Sequence, residues 1–275
     1  MENDTLVKYQ IFKAMHESTF VMPNPWDAGS AKILTALGYK ALATTSAGFA
    51  FSQGKRDSSG SLGRDDILAN ARAIVQSTDL PVSADLENGF GDAPEACVKT
   101  ILAASKTGLV GGSIEDATGN PAQPIYDCAH AVERVAAAVE AAQGLPFLVT
   151  ARAENFLHGR PDLADTITRL QAFEAAGADV LYAPGLPSLD AIREVCSALT
   201  KPVNVVMGLS GPNLTVPDLR AAGVKRISVG GSFARAALGG FMRAAEEVLE
   251  YGTFTYASDA LPDAVATGYM AKAYI

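Results

Sequence analysis

Several features are scarce in this 275-residue chain. No uncharged apolar stretch reaches the roughly 18 to 20 residues that cross a bilayer. The N-terminal segment has no basic start followed by an apolar run, so neither an anchor nor a signal peptide is expected. Cysteine is sparse and odd in number. Cys97, Cys128 and Cys196 lie far apart and make neither a disulfide framework nor a paired-cysteine metal site, which points to reduced thiols in the cytoplasm. Basic residues are outnumbered, 22 Lys and Arg against 30 Asp and Glu, for a net charge of -8. With no basic run present, a nucleic-acid partner is not expected. Motifs for acyl transfer are missing too: there is no GxSxG and no cysteine after a strand end.

What the chain does have is apolar mass. At 48% hydrophobic and 19% charged it can bury a large core, and its length suits one large α/β domain or two ordinary ones. Eight short apolar or β-branched runs recur: Phe20 to Met22, Ala41 to Thr45, Pro81 to Asp85, Gly112 to Glu115, Phe147 to Ala151, Asp179 to Tyr182, Pro202 to Met207 and Arg226 to Val229. Their spacing of roughly 20 to 40 residues accommodates a strand and a crossover helix. Their continuous apolar character suits strands buried on both faces, hence a parallel sheet. A helix ending in glycine and passing into a strand repeats at Leu37, Thr107, Ala176 and Ala222. One helix is expected from Pro161 to Ala176, with Leu163, Ile167, Leu170 and Phe173 on one stripe and Gly177 as its stop.

Eight βα units match a (β/α)8 barrel forming a single domain over residues 1–275. An open doubly wound sheet is the alternative, and it loses support because no GxGxxG follows the first strand. Residues 233–275 exceed what one closing helix needs. This segment carries Tyr251, Phe254, Tyr256, Tyr269 and Tyr274 and is expected to pack on a neighbouring subunit.

In a barrel the chemistry lies where strands end, and here those ends are acidic. Asp85 and Glu87 follow the third run, Glu115 and Asp116 the fourth, and Arg152 and Glu154 the fifth, while Asp57 lies in the loop after the second. Carboxylates converging on one mouth repel one another unless a cation intervenes. Oxygen donors without His or Cys favour Mg2+ or Mn2+ over zinc. Asp92 and Asp116 read more simply as helix caps or surface ion pairs. Ser46, Ala47 and Gly48 form a small-residue turn whose N–H groups can face an anion. Arg152 can clamp a carboxylate, with a salt bridge to Glu154 or Glu115 as the structural alternative. Gly230-Gly231-Ser232 opens the last helix, where many barrels bind phosphate, but no glycine-rich loop with a basic residue follows strand 7 to match it. Of the three histidines, only His158 can approach the mouth.

Six segments together resemble the isocitrate lyase/phosphoenolpyruvate mutase superfamily: Asn24-Pro-Trp-Asp-Ala-Gly-Ser30, Thr45-Ser-Ala-Gly48, Arg56-Asp-Ser58, Asp85-Leu-Glu-Asn-Gly-Phe-Gly91, Ile114-Glu-Asp116 and Ala151-Arg-Ala-Glu154. The resemblance implies a barrel whose last helix is exchanged between subunits of a homodimer or homotetramer. It implies Mg2+ on Asp85, with Asp57, Glu87 and Glu115 completing the shell. It also implies a 2-oxo acid carboxylate seated on Ser46, Ala47 and Gly48 under Arg152, with Asp57 and Glu115 supporting the chemistry. Asn204, Tyr182, Glu154 and His158 are candidates for reading the substrate's distal end.

One departure narrows the reading. Family lyases carry a KKCGH-like loop after the strand-4 acidic pair, and mutases a loop with Lys and Asn. Here Ala117 to Tyr126 is short and holds no Lys, Cys or His, while Cys128 falls in the helix beyond. The expected activity is therefore cleavage of a carbon–carbon bond, or decarboxylation, of a small 2-oxo or 2-hydroxy acid through an enolate. The alternatives are a phosphonopyruvate-type mutase or hydrolase, a weakly catalytic barrel that binds 2-oxo acids, and a phosphate-binding sugar isomerase barrel.

Overall fold

The computed structural model describes residues 2–57, 60–209, 211 and 213–271. Ser58 of the Arg56-Asp57-Ser58 segment and Tyr274 of the C-terminal tail lie outside the described residues. Eight parallel strands are present: β1 (Phe20–Met22), β2 (Leu42–Ala43), β3 (Val82–Asp85), β4 (Gly111–Glu115), β5 (Leu148–Arg152), β6 (Val180–Tyr182), β7 (Val203–Val206) and β8 (Arg226–Ser228). They pair in the order β1-β8-β7-β6-β5-β4-β3-β2. The remaining seam is drawn together by a bond from Ala43 N to Pro23 O (3.0 Å). Asn24 reinforces it: its Nδ2 donates to Thr44 O (2.9 Å), and its Oδ1 accepts from Val229 N and Gly230 N (2.9 Å each). The architecture is a (β/α)8 barrel, as expected.

Helix α1 (Glu2–Met15) precedes the barrel. α2 (Ala28–Ala36) follows β1, and α3 (Ser46–Ser52) and α4 (Arg64–Val75) follow β2. α5 (Pro94–Ser105), α6 (Cys128–Ala142), α7 (Leu163–Ala175), α8 (Leu189–Ser197) and α9 (Val216–Ala221) follow β3 to β7 in turn, with α10 (Ser232–Tyr251) and α11 (Asp263–Ala271) after β8. The four repeat glycines Gly38, Gly108, Gly177 and Gly223 have φ of 94°, 89°, 99° and 97°, the left-handed stop expected of them.

The differences from expectation are local and have identifiable causes. The Ala41 to Thr45 run shrinks to two residues because Thr45 leaves the ladder to cap α3, its Oγ1 accepting from Gly48 N (3.2 Å). The small-residue stretch from Ser46 to Gly48 is thus the first turn of a helix rather than a free turn. α7 begins two residues later than expected, because the Asp162 side chain accepts from Asp165 N (2.9 Å) and sets the N-cap there. Pro161 therefore lies outside the helix. Helix α1 is an addition to the expected elements. It closes the barrel floor, where Phe12 is buried in one cluster with Met22, Ala41, Val110 and Leu148.

The inside of the barrel is lined unusually. Ala43, Ser83 and Ser113 stand one pleat below Thr45, Asp85 and Glu115, on the same face of their strands. Barrels of this type are ordinarily filled with branched aliphatic layers. On the outside, α10 leaves Phe241 (70%) and Leu249 (86%) exposed. α11 lies against α2 of its own chain, with Lys32 Nζ donating to Met270 O (2.8 Å).

Candidate functional site

The C-terminal ends of the strands open into a cavity of ≈ 1110 Å3. Asp57, Asp85, Glu87, Glu115, Arg152 and Glu154 line it together, as do Ser46, Ala47, His158, Tyr182 and Asn204. Gly48 lies behind the wall, buried against Thr45, Trp26 and Ala234 with its N–H committed to Thr45.

Arg152 is the hub. Its Nη1 reaches Asp85 Oδ1 at 3.0 Å, Nη2 reaches Glu115 Oε2 at 3.1 Å, and Nε and Nη2 both reach Glu154 Oε1 at 2.9 Å. Its guanidinium carbon also lies 5.1 Å from the centre of the Tyr182 ring. Burial alone would lower the Arg152 pKa, but Glu154, Glu115 and Asp85 outweigh it and raise it well above normal. The other oxygen of Asp85, Oδ2, accepts from Ser46 Oγ (2.8 Å) and Ser46 N (3.3 Å), and Ser46 Oγ also points toward Asp57 Oδ1 (3.4 Å). The salt bridges to Glu154 and Glu115 that were the structural alternative for Arg152 are therefore present.

The carboxylates exceed the cation beside them. Glu87 is pushed up to about 7, first by burial and then by Asp85 and Asp57, with Arg152 opposing. Glu115 is raised well above its ordinary value by burial, with Arg152 opposing and Glu154, Asp85 and Glu87 adding to the rise. Glu87 occupies an uncommon backbone region for a side-chain-bearing residue (φ 48°), as does Phe90 (φ 61°). Arg134 holds this loop in place, donating from Nη1 to Gly91 O (2.7 Å) and Asp92 O and from Nη2 to Asn88 O. Its guanidinium stacks over Tyr126 at 4.4 Å, and the Tyr126 hydroxyl donates to Asp92 Oδ1 (2.6 Å).

Asp92 and Asp116 are neither caps nor surface pairs. Asp116 is 2% exposed, accepts from Glu154 N (2.8 Å) and pairs with Arg169 Nη1 (3.1 Å). Arg169 also donates to Tyr126 O (2.8 Å) and to Asp165 Oδ2 (2.9 Å), which ties the ends of β4 and β5 to α7. Burial lifts Asp116 to about 6 against the Glu154 N–H and Arg169. The 117–126 loop is a closed hairpin: Ala117 bridges Ile125, Thr118 N donates to Pro124 O (2.9 Å), and Tyr126 N donates to Asp116 O (2.8 Å). Gly230, weighed as a phosphate-binding amide, donates its N–H to Asn24 Oδ1.

Arg134, Arg169 and Arg226 were not anticipated from the sequence. Arg134 and Arg169 could have been found as charged residues on the buried stripes of α6 and α7, beside Val135 and Leu170. Arg226 had no such signal.

The model of the phosphoenolpyruvate phosphomutase family matches residues 12–249. The chain belongs to the isocitrate lyase/phosphoenolpyruvate mutase superfamily. Within that superfamily it superposes on the crystal structure of a Burkholderia cenocepacia protein assigned as a lyase or mutase, with TM-score 0.95 and 52% identity over 99% of this chain and 100% of the other. It is 29% identical to the 2-methylisocitrate lyase of Escherichia coli over 206 residues, 72% of this chain and 69% of that enzyme. It is 28% identical to the 2,3-dimethylmalate lyase of Eubacterium barkeri over 217 residues, 74% and 72% of the two chains. The superfamily members it matches also include an oxaloacetate decarboxylase and a protein assigned as a phosphonomutase. Among the described residues no helix is long and apolar enough to cross a membrane.

Proposed function

We propose that this protein is a divalent-cation-dependent lyase or decarboxylase that breaks a carbon–carbon bond of a small 2-oxo or 2-hydroxy acid through an enolate. The supporting observation is the hub at Arg152: a single guanidinium inside a ring of carboxylates, where burial first and the neighbouring carboxylates second raise Glu87 and Glu115. Among the described residues no three acidic, imidazole or thiol groups already surround one point as a metal cage. The donors nevertheless fit a hard cation. They are all oxygen and carry an excess of negative charge, and Mg2+ typically keeps most of its shell as water around one or two carboxylates. Asp85 would hold it, with Asp57, Glu87 and Glu115 reaching it directly or through water. When bound, Mg2+ or Mn2+ would supply Lewis-acid charge beside the substrate's oxygen.

The chain's own residues do the rest. Ser46, at the N-terminus of α3, and Ala47 beside it form the carboxylate end of the site, with Gly48 packed behind the wall. Arg152, held by Glu154, offers a two-pronged cation to the substrate. Asp57 and Glu115, which line the same cavity, would support the chemistry. The 117–126 hairpin holds no Lys, Cys or His, so protonation of the enolate does not depend on it and can come from solvent. That favours small products over cleavage of a bulky tricarboxylate. The family model and the phosphonomutase likeness support a second reading, phosphonopyruvate-type P–C chemistry. An NMR product screen of oxaloacetate, 2-methylmalate, methylisocitrate and phosphonopyruvate with Mg2+ separates the two. Turnover of phosphonopyruvate alone would replace the first reading with the second.

The exposed apolar residues of α10 and the extra length of residues 233–275 support packing of this arm on a second copy in a homodimer or homotetramer. Light scattering on the purified chain tests this, and a monomer at micromolar concentration would remove it.

A further inference from the structure

The first residue of β8 is an arginine buried inside the barrel. Arg226 is 3% exposed, and its hydrogen bonds go to neutral oxygens: Nε donates to Asn204 Oδ1 (2.9 Å) and Nη2 to Thr150 Oγ1 (2.9 Å). Nη1 is buried without a hydrogen-bond partner among the described residues. No ion pair found among the described residues includes it. Burial pushes its pKa down to about 9, with Tyr182 opposing. Its charge is felt at the barrel floor, where His16 is driven down to about 3 by burial first and Arg226 second. A buried cation in neutral surroundings is costly, and an anion beside it removes that cost.

The cavity offers room for one. Arg226 lines it together with Ala43, Ser83 and Ser113, whose small side chains leave a well beneath the ring of carboxylates. We propose that this well is a second anion subsite, in which Arg226 receives the distal carboxylate of a dicarboxylic substrate. The proposal rests on the reading of the mouth given above, which places the 2-oxo or 2-hydroxy acid end at Ser46 and Arg152. Asn204 is preset for the same task. Because its Oδ1 accepts from Arg226, its Nδ2 is turned to donate to Ser228 Oγ (3.0 Å). Ser228 and Tyr182 line the same cavity, and the Tyr182 ring faces Arg152. Both guanidinium groups therefore look into one cavity, and a dicarboxylate between them meets one at each end.

The test uses two matched probes, malate and 2-hydroxybutyrate. Both are four-carbon 2-hydroxy acids, and they differ in whether the far carbon is a carboxylate or a methyl group. Calorimetric titration of the intact protein in saturating Mg2+ should show malate bound roughly tenfold to a hundredfold more tightly, as a charged hydrogen-bonded contact implies. Arg226→Met should erase that preference, and Arg226→Lys should keep part of it. Equal affinity for the two acids in the unmodified protein, or a preference that survives Arg226→Met, overturns the subsite. The first comparison needs no variant, so a folding defect cannot mask it. If both acids bind equally, the distal subsite alone fails; if neither binds, the reading of the mouth fails with it.

Discussion

Arg152, half-buried, and Arg226, buried, both line the same cavity inside the barrel, yet their surroundings are opposite. Arg152 ends β5 and touches three carboxylates. Arg226 begins β8 and touches an amide and a hydroxyl. Burial penalises both charges. At Arg152 the carboxylates reverse the effect and strengthen the proton's hold, while at Arg226 burial prevails. Residue type therefore says little about what a buried cation does; the sign of the charge around it decides. The upper layer has anions to spare and suits a metal ion, whereas the lower layer has a cation to spare and suits an acid group.

The most severe test of the upper layer is Asp85→Ala. It should abolish turnover and Mg2+ binding by calorimetry while leaving the fold intact, since the residue ends a strand at the cavity wall. Full activity of the unmodified protein in excess EDTA would refute the metal's part. Arg152→Lys should lower kcat/KM by roughly tenfold to a thousandfold, about 1.4 to 4 kcal/mol, because lysine keeps the charge but loses the fork. An unchanged value would restrict Arg152 to holding the structure together.

Stability sharpens the contrast between the two arginines. Arg152→Met strands buried carboxylates and should cost about 3–5 kcal/mol in urea unfolding of the metal-free protein. Arg226→Met removes an unpaired charge and should cost only about 1 kcal/mol, from the orphaned amide and hydroxyl. Equal losses would mean that the charge surroundings do not distinguish them.

A smaller effect concerns pH. Glu87 has a folded pKa of about 7, above its ordinary value of 4.5. Its protonated form therefore favours the fold below the ordinary value, and that contribution is lost as pH rises toward 7 and beyond. Metal-free Glu87→Gln should melt near the wild-type temperature at pH 4.5 and above it at pH 8, and Mg2+ should shrink the gap at pH 8. A gap independent of pH would show that Glu87 does not titrate there. The smallest effect belongs to Cys128→Ser. The thiol opens α6 beyond a closed hairpin, so kcat/KM on oxaloacetate should not change. Methylisocitrate cleavage that this substitution abolishes would make the protein a true lyase of that acid.

The convergence of the upper layer was legible in the sequence because its carboxylates sit at the ends of apolar runs. Val-Ser-Ala before Asp85 and Gly-Gly-Ser-Ile before Glu115 read directly as buried strands ending in charge. The lower layer was not legible, because a lone arginine after Lys225 looks like the polar start of any strand. Only the register that sets Arg226 beside Asn204 turns it inward. Pairs such as Asp116 with Arg169, 53 positions apart, exist only once α7 has packed beneath its loop. Helix α1 escaped notice for a similar reason: Phe12 is its one firmly buried apolar side chain, and it finds its place only on a finished barrel floor.

The seam at Asn24 has a consequence for how the molecule is made. Its side chain accepts from Val229 and Gly230, 205 and 206 positions further on. Loop-closure entropy makes contacts of such separation late and slow. During synthesis the first strand therefore waits for the last, leaving its edge and that of β2 unpaired until nearly the whole chain has emerged. Asn24→Ala should then slow refolding more than it speeds unfolding if closure of the seam belongs to the rate-limiting step.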